Sequence, residues 1–297
     1  MNYTFAPSAP APLLRGHLHL GGSNPKGEQI TVTSRYLERN ARPWLPVMGE
    51  YHFVRDNREN WYRELCKMKA GGVDLVATYL FWIYHEEEEG KPDFSGDRDI
   101  RAFVLAAKRA GLEVVLRLGP WAHGECRNGG FPDWLLQKPF PLRQSNPEYM
   151  ALVRHWYSCI YREVEGLFFP DGGPIVAVQL ENELTDDAQH LLDLKQLAQR
   201  IGFTVPLYTV TGWNSRYGAK IPVDDVLPVF GAYVDAPWAE TTQALSAWIK
   251  SLQPRRTVGF CPMTATPLPP VSSAAVCSRL TTAASSFPRR MPMRFHW

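Results

Sequence analysis

The stretch GGPIVAVQLENEL, residues 172–184, carries both the fold signal and the chemistry of this chain. Two glycines mark a turn, and the apolar run Ile175–Leu180 then predicts a strand that is covered on both faces, as in a parallel sheet. Glu181, Asn182 and Glu183 follow that strand directly. Because α/β proteins place their sites at the carboxyl ends of parallel strands, these three residues are the first candidates for function.

Apolar strands alternate with helical patterns through most of the chain. The predicted elements are strand 46–53, helix 58–70, strand 73–79, helix 98–110, strand 113–118, helix 147–165, strand 175–180, helix 187–201, strand 207–211 and strand 226–233. We expect Asp97 to cap the second helix and Gly111 to end it. Six such strands fit a (β/α) barrel or a doubly wound sheet. A barrel needs eight strands and about 250 residues, and the length allows it.

Three regions differ in pattern. Residues 1–45 are predicted to be a β-hairpin lead-in, because residues 18–20 and 29–33 alternate apolar and polar positions around glycines and a proline. Residues 46–240 contain the strand and helix alternation. Residues 241–297 have no helical or strand periodicity and are predicted to be irregular.

The charge is distributed unevenly. The chain has 297 residues, 45% of them hydrophobic and 21% charged, with a formal net charge of +2, which is an ordinary globular composition. All 30 acidic residues lie within residues 1–240, whereas residues 241–297 hold seven Lys and Arg and no acid. A basic tail is typical of proteins that bind nucleic acid or anionic lipid. That class is one alternative for the function.

Several classes of protein are disfavoured. The N-terminus lacks the apolar core of about 7–15 residues that a signal peptide needs, and no run reaches the roughly 18 apolar residues of a membrane span. Five scattered cysteines without a CxxC spacing predict reduced thiols in a cytoplasmic protein. There is no Gly-rich phosphate loop and no convincing Ser/His/Asp set. We expect no metal, no organic cofactor, no nucleic acid and no membrane partner.

Polar and aromatic residues gather after the predicted strands. They are Glu50 and His52 after the first strand, Tyr79, Trp82, His85 and Glu86 after the second, Trp121, His123 and Glu125 after the third, Asn182 and Glu183 after the fourth, and Thr211, Trp213 and Asn214 after the fifth. Aromatic faces beside amides and carboxylates are typical of a sugar site, since they match the flat faces and hydroxyls of a pyranose.

A set of ordered motifs resembles one known family. The motifs are GEYHFVR (49–55), WYRELCKMKAGGVDLVATYLFWIYHEEEEG (61–90), LRLGPWAHGECRNGGFPDWLL (116–136), GGPIVAVQLENEL (172–184), YTVTGWN (208–214) and APWAE (236–240). Together they are similar to glycoside hydrolase family 35, the retaining β-galactosidases, and most similar to its bacterial branch of large enzymes. The resemblance covers residues 15–240.

The resemblance implies an eight-stranded (β/α)8 TIM barrel, β-galactoside substrates and two catalytic glutamates. By motif, Glu183 takes the acid/base role and Asn182 holds the 2-hydroxyl of the sugar. Tyr79, Gly124 and Glu125 are implied to line the galactose pocket. No metal or cofactor is implied, and the resemblance says nothing of the oligomeric state.

The chemistry of such an enzyme requires a pair of carboxyl groups. One protonates the leaving oxygen, and the other, about 5–5.5 Å away, attacks the anomeric carbon. An apolar setting or a nearby negative charge must keep the acid protonated near neutral pH. Glu181 in the same motif is expected to be structural. The attacking carboxylate belongs near the end of the seventh strand, where residues 241–297 supply no Asp or Glu.

The composition of residues 241–297 is typical of a GC-rich gene that is read out of frame. A shifted codon consists of the third base of one residue's codon and the first two bases of the next. The genetic code leaves only one amino acid possible for three of these shifted codons: Asp across residues 263–264, Ala across 291–292 and Leu across 296–297. The degenerate positions permit a Tyr-Pro followed by Cys-x-Glu-x-Gly-Gly, which resembles the nucleophile segment of the family. Its glutamate codon would straddle Ser272 and Ser273. We therefore expect a frameshift before about residue 264 and no galactosidase activity for this chain.

Purely structural roles remain as alternatives for these residues. Glu183 could cap a helix or pair with an arginine, and Glu125 could pair with Arg117 or Arg127. His52, His85 and His123 could be hydrogen-bonded residues of the barrel rim without a role as ligands. Tyr79 and Trp82 could serve only in packing, and residues 86–89 could form a solvated loop. For the whole chain, the rivals to a retaining β-galactosidase are a non-catalytic galactoside-binding remnant and a related exo-glycosidase that prefers β-glucosaminides.

Overall fold

The larger of the two sheets in the structure is parallel. The computed structural model describes residues 12–16, 21–184, 187–211 and 227–230. Within these residues the sheet has six strands: β5 (Met48–Glu50), β6 (Leu75–Tyr79), β7 (Glu113–Gly119), β8 (Ile175–Leu180), β9 (Leu207–Thr211) and β10 (Leu227–Phe230). From β6 to β10, each strand pairs in parallel with the strand that precedes it in the chain. In a doubly wound sheet the strand order reverses partway across the sheet. The sequential order found here is that of a barrel wall.

A smaller antiparallel sheet precedes the barrel wall. Its strands are β1 (Gly21–Ser23), β2 (Gln29–Val32), β3 (Leu37–Arg39) and β4 (Arg42–Trp44), which pair in that order. The predicted hairpin therefore gains two further strands, and residues 18–20, where its first strand was expected, lie outside the described residues. The buried carboxylate of Glu38 accepts two hydrogen bonds from Arg15, which tie residue 15 to β3.

Helices connect the successive strands of the barrel wall from β5 to β9. They are α1 (Arg58–Ala70), α2 (Trp82–His85), α3 (Ile100–Ala110), α4 (Asp133–Leu136), α5 (Pro147–Val164) and α6 (Ala188–Ile201). The four longer ones were predicted to within two residues at each end. Short helices α2 and α4 interrupt the long loops that follow β6 and β7.

The helix α3 shows how the sequence determines packing. Ile100, Phe103, Val104 and Ala107 are all fully buried, which confirms the apolar stripe at helical spacing. Phe103 stacks on Phe53 with ring centroids 5.2 Å apart. Replacing a buried aromatic side chain of this kind by alanine costs about 3–5 kcal/mol.

The cap of α3 was assigned to the wrong aspartate. Asp99 accepts a hydrogen bond from the backbone N–H of Ala102, because the helix begins at Ile100 and residues 96–98 form a separate turn. Asp97 instead accepts from the backbone N–H of Arg58 at 2.7 Å, so it satisfies the start of α1. Gly111 ends α3 as predicted, in the left-handed conformation.

Candidate active site

The carboxyl ends of β6, β7 and β8 bring the predicted polar residues together. Parallel pairing puts Tyr79, the last residue of β6, opposite Arg117 of β7, and Arg117 opposite Gln179 of β8. The loop after β7 carries His123, and Asn182 follows β8 by two residues. The site is therefore assembled from neighbouring strand ends, as the alternation of strands and helices predicted.

The segment after β8 is held in an unusual backbone conformation. Glu181 and Glu183 have φ values of 54° and 52°, in the left-handed region that non-glycine residues rarely adopt. The Glu181 N–H donates to Gly119 O at 2.7 Å, and the Glu183 N–H donates to Val210 O at 3.0 Å. Hydrogen bonds to both neighbouring strands thus stabilise the conformation and fix the direction of the side chains between them.

The side-chain oxygen of Asn182 accepts three hydrogen bonds. The donors are the hydroxyl of Tyr79 at 3.0 Å, Nη2 of Arg117 at 3.1 Å and Nε2 of Gln179 at 3.1 Å. The amide nitrogen Nδ2 lies on the other side, 3.0 Å from Nδ1 of His123. With its oxygen fully occupied, Asn182 offers its NH2 group as a donor.

Arg117, predicted from the sequence only as a possible partner for Glu125, lies among the residues of the candidate site. Its Nε donates to Gln179 Oε1 at 2.9 Å, and it forms an ion pair with Glu50 at the end of β5. The guanidinium also lies over the ring of Tyr79, 3.7 Å from the centroid. An arginine inside the apolar strand EVVLRLG was the available signal, because buried charges need partners.

Glu183 and His123 face each other at this edge of the sheet. Their closest atoms, Oε2 and Nδ1, are 3.4 Å apart, and the Glu183 side chain is 23% exposed. Burial lowers the pKa of His123, against the opposing attraction of Glu183. The arrangement can hold a carboxyl group that is reachable from solvent beside a neutral imidazole.

Gly124 lies close to the rings of Tyr79 and Phe81. Tyr79 is almost fully buried, and burial together with the nearby negative charges raises its pKa. Gly124 has a φ of 54°, and a Cβ at this position would lie 2.8–2.9 Å from ring carbons of Phe81 and 3.2 Å from Cδ2 of Tyr79. Only glycine fits this close approach without displacing the aromatic rings.

Glu125 is exposed, at the wall of a cavity of about 390 Å³. The cavity is lined by Ile83, Tyr84, Glu87, Glu125, Cys126, Arg127, Pro132 and Asp133. Arg127 forms its ion pair with Asp133, and Arg117 forms its ion pair with Glu50. These pairs occupy both arginines that were considered as partners for Glu125.

Glu181 is fully buried beneath this site. Its carboxylate accepts from Nη2 of Arg143 at 2.7 Å and from the backbone N–H of Asn182 at 3.0 Å. Burial raises its pKa, and the Arg143 charge offsets only part of that effect. A side chain with no exposed surface cannot touch a substrate, so Glu181 has the structural position expected of it.

The prediction of a solvated loop at residues 86–89 is wrong for Glu86. Its side chain is 1% exposed and accepts from Nε1 of Trp82 and from the backbone N–H of Gly90, both at 2.7 Å. The carboxylate is needed inside because it satisfies a buried indole and a turn. Trp82 in turn stacks on Trp156, with centroids 5.5 Å apart and planes at 4°, which makes it a packing residue.

His85 lies in the core, away from the rim. Its side chain stacks on Phe94 with centroids 4.7 Å apart, and its Nδ1 lies 3.1 Å from the carbonyl oxygen of Asp93.

Trp213 and Asn214 fall outside the described residues, as does the whole of residues 241–297. In the part of the chain that the structure describes, no cluster of three or more His, Cys, Asp or Glu side chains is arranged to hold a metal ion.

Comparison with known proteins identifies the family. The family model for Glycosyl hydrolases family 35 matches residues 37–262, and the chain belongs to this family. The β-galactosidase of Bos taurus is 36% identical over 212 residues, which are 69% of this chain and 32% of that protein. The β-galactosidase of Xanthomonas manihotis is 34% identical over 216 residues, which are 71% of this chain and 35% of that protein. The chain thus spans about a third of the length of these relatives.

Among solved structures, GH5_18 of Streptomyces cattleya, in complex with GlcNAc, has a TM-score of 0.49 at 12% identity. The alignment covers 60% of this chain and 48% of that protein. Among the helices of the described residues, we find none with the length and apolar character to span a membrane.

Proposed function

We propose that this chain carries the sugar-binding and acid/base half of a retaining β-galactosidase site, with terminal β-D-galactosides as substrates. The observation that carries the proposal is the Asn182 amide, whose oxygen is held by three donors while the carboxyl group of Glu183 stands beside it. The similarity to curated β-galactosidases supports the choice of sugar.

Each residue then has a defined task. Glu183 protonates the glycosidic oxygen and afterwards deprotonates the attacking water. The Asn182 NH2 group donates to the 2-hydroxyl of the galactose, a contact that strengthens in the transition state. Tyr79, Gly124 and Glu125 line the galactose pocket, Tyr79 through its ring edge and Glu125 through its exposed carboxylate.

The missing part of this machinery is the nucleophile. No Asp or Glu occurs after Glu240 in the sequence, and we propose that residues 241–297 are an out-of-frame translation of the region that would supply it. Resequencing the source DNA from the Glu240 codon to several hundred bases beyond the Trp297 codon tests this directly. An inserted or deleted base supports the proposal, and an unchanged reading frame contradicts it.

Chemical rescue tests the function of the chain itself. Without a nucleophile, an aryl β-galactoside should not be hydrolysed, but added azide can attack the anomeric carbon as the aryl oxygen leaves with the proton of Glu183. We expect galactosyl azide and the free phenol to form only when azide is present. Glu88→Gln, a change at an exposed residue, should leave this rate unchanged, whereas Asn182→Ala should abolish it. Failure of azide to release phenol, together with no galactose binding by calorimetry, contradicts the proposal.

A substrate panel separates the remaining candidates. A non-catalytic galactoside-binding remnant would bind galactose without azide-dependent turnover, and the absence of acids from residues 241–297 favours this second candidate. An exo-glycosidase that prefers a different sugar would release phenol faster from an aryl β-glucosaminide than from the galactoside.

We also propose a cytoplasmic location, supported by the free thiols of Cys66, Cys126 and Cys159. Fractionation of the source cells tests it.

A further inference from the structure

One nitrogen of His123 lies between two side chains with opposite requirements. Its Nδ1 is 3.0 Å from Nδ2 of Asn182 and 3.4 Å from Oε2 of Glu183. The amide NH2 group can only donate a hydrogen bond, whereas an ionised carboxylate can only accept one. Because Nδ1 bears either a proton or a lone pair, it can hydrogen-bond to only one of these two neighbours.

The orientation of the Asn182 amide resolves the conflict. Turning the amide over would place its NH2 group against the N–H groups of Arg117 and Gln179, which have no lone pair to offer there. The NH2 group must therefore face His123. It follows that Nδ1 of His123 bears a lone pair and accepts this hydrogen bond, so the imidazole is neutral and carries its proton on Nε2.

We propose that His123 is a positioning residue that fixes the Asn182 amide, because Nδ1 accepts from one N–H of the amide and leaves the other N–H to donate to the sugar. The inference rests on the proposed function, in which Asn182 donates to the 2-hydroxyl of galactose.

The charges around His123 agree with this role. Glu183 from the loop after β8, Glu125 from the same loop as His123, and Arg143 from the loop before α5 all act on the ring, and the Trp121 ring packs edge-on 5.1 Å away. Burial lowers the pKa of His123, the two carboxylates oppose that effect, and Arg143 adds to it. Below that pKa the imidazolium carries a proton on Nδ1 and loses the hydrogen bond from Asn182.

Nuclear magnetic resonance of the full chain with ¹⁵N-labelled histidine tests the tautomer without any need for activity. The signals of His123 are assigned by their absence in His123→Asn. We expect ring nitrogen shifts of the Nε2–H tautomer and a titration midpoint below the ordinary histidine value. In Glu183→Gln that midpoint should fall further, because the attraction between the imidazolium and the carboxylate is lost. The His155 signals, from a residue on α5, serve as the control that should not move.

Galactose affinity tests the positioning role separately. We expect His123→Ala to weaken binding about tenfold, because the Asn182 amide loses its acceptor. His123→Asn should restore most of the affinity, since its side-chain oxygen can occupy the position of Nδ1. A proton on Nδ1, a midpoint that does not respond to Glu183→Gln, or equal affinities for wild type and His123→Ala would overturn the inference. Loss of galactose binding in the wild type, with the expected tautomer present, would instead contradict the proposed function.

Discussion

The phenolic oxygen of Tyr79 lies 3.0 Å from the side-chain oxygen of Asn182, although 103 residues separate the two in sequence. This hydrogen bond joins the end of β6 to the segment after β8, and Arg117 and Gln179 donate to the same oxygen. The amide is thus oriented before any substrate arrives. Donors that need no reorganisation are the ones that stabilise a transition state most effectively.

Removing this hydroxyl gives the first prediction. Tyr79→Phe leaves the buried ring in place but takes away one of the three donors to Asn182. We expect galactose to bind about fivefold more weakly, since a neutral hydrogen bond contributes about 1 kcal/mol, while the unfolding free energy changes little. Titration calorimetry with galactose measures the effect.

Tyr62→Phe is the matched control for this prediction. Tyr62 lies on α1, is 38% exposed and packs under Arg109, away from the strand ends. Removing the Tyr62 hydroxyl should leave the galactose affinity unchanged. Equal affinities for Tyr79→Phe and Tyr62→Phe would show that the Tyr79 hydroxyl does not orient Asn182.

The second prediction concerns the buried ion pair beneath the site. Glu181→Ala leaves the partly buried guanidinium of Arg143 with only Asn182 O as a hydrogen-bond acceptor among the contacts described above. We expect the unfolding free energy to fall by about 2–3 kcal/mol, because an uncompensated charge remains in the interior. Urea unfolding followed by circular dichroism measures it.

Glu88→Ala provides the comparison for Glu181→Ala. Glu88 pairs with Lys91 on the surface, where both side chains are more than two-thirds exposed. Solvent screens such an exposed pair, so this variant should unfold close to wild type. A Glu181→Ala protein as stable as Glu88→Ala would mean that Arg143 finds other partners at no cost.

The sequence predicted the barrel wall well because burial on both faces leaves uninterrupted apolar runs. Strand β8 was predicted at its observed bounds, Ile175–Leu180. The first strand was predicted too long, as residues 46–53, because Phe53 is apolar but belongs to the turn Phe53–Arg55 that follows β5. Strands β3 and β4 were missed because each has three residues and carries arginine, which leaves too little alternation to detect.

The site was predictable where its residues are contiguous. Asn182 and Glu183 follow one strand, so a local motif contains both. Arg117 was missed as a site residue because Gln179 comes from the neighbouring strand β8 and Glu50 from β5, which lies beyond β6, and only the parallel register brings them together. Contacts of this kind depend on tertiary pairing and leave no local pattern in the sequence.

The third prediction tests the close approach at Gly124. Gly124→Ala combines a left-handed backbone with a Cβ inside contact distance of Phe81 and Tyr79. We expect it to lower the unfolding free energy by about 2–4 kcal/mol and to weaken galactose binding, since the Tyr79 ring must move. Both quantities come from the urea and calorimetry experiments described above.

Gly90→Ala separates backbone strain from the clash at Gly124. Gly90 also has a positive φ, 77°, but a Cβ there would meet nothing within 4 Å. In this variant the strain of alanine in the left-handed conformation should lower the unfolding free energy by about 1 kcal/mol. The variant should bind galactose like wild type. If both variants lose the same stability, the contacts with Phe81 and Tyr79 do not constrain residue 124.

The fourth prediction is a pH dependence of stability that arises from His85. Complete burial lowers the pKa of its imidazole from the ordinary 6.5 to about 4 in the folded chain. As the pH falls from 6.5 towards 4, the unfolded chain binds a proton that the folded chain does not, so stability is lost in that window. Between pH 7 and pH 5 this one group should lower the unfolding free energy by about 2 kcal/mol.

A single replacement isolates the contribution of His85 from that of other titrating groups. His85→Phe keeps an aromatic ring against Phe94 but cannot bind a proton, so its unfolding free energy should fall less steeply between pH 7 and pH 5 than that of wild type. The absolute stability at pH 7 will also change, because the contact with the Asp93 carbonyl is lost. The difference in slope is therefore the quantity to compare. Equal slopes in the two proteins would mean that His85 is protonated in the folded state at the same pH as in the unfolded chain, which contradicts its burial among Phe94 and Trp156.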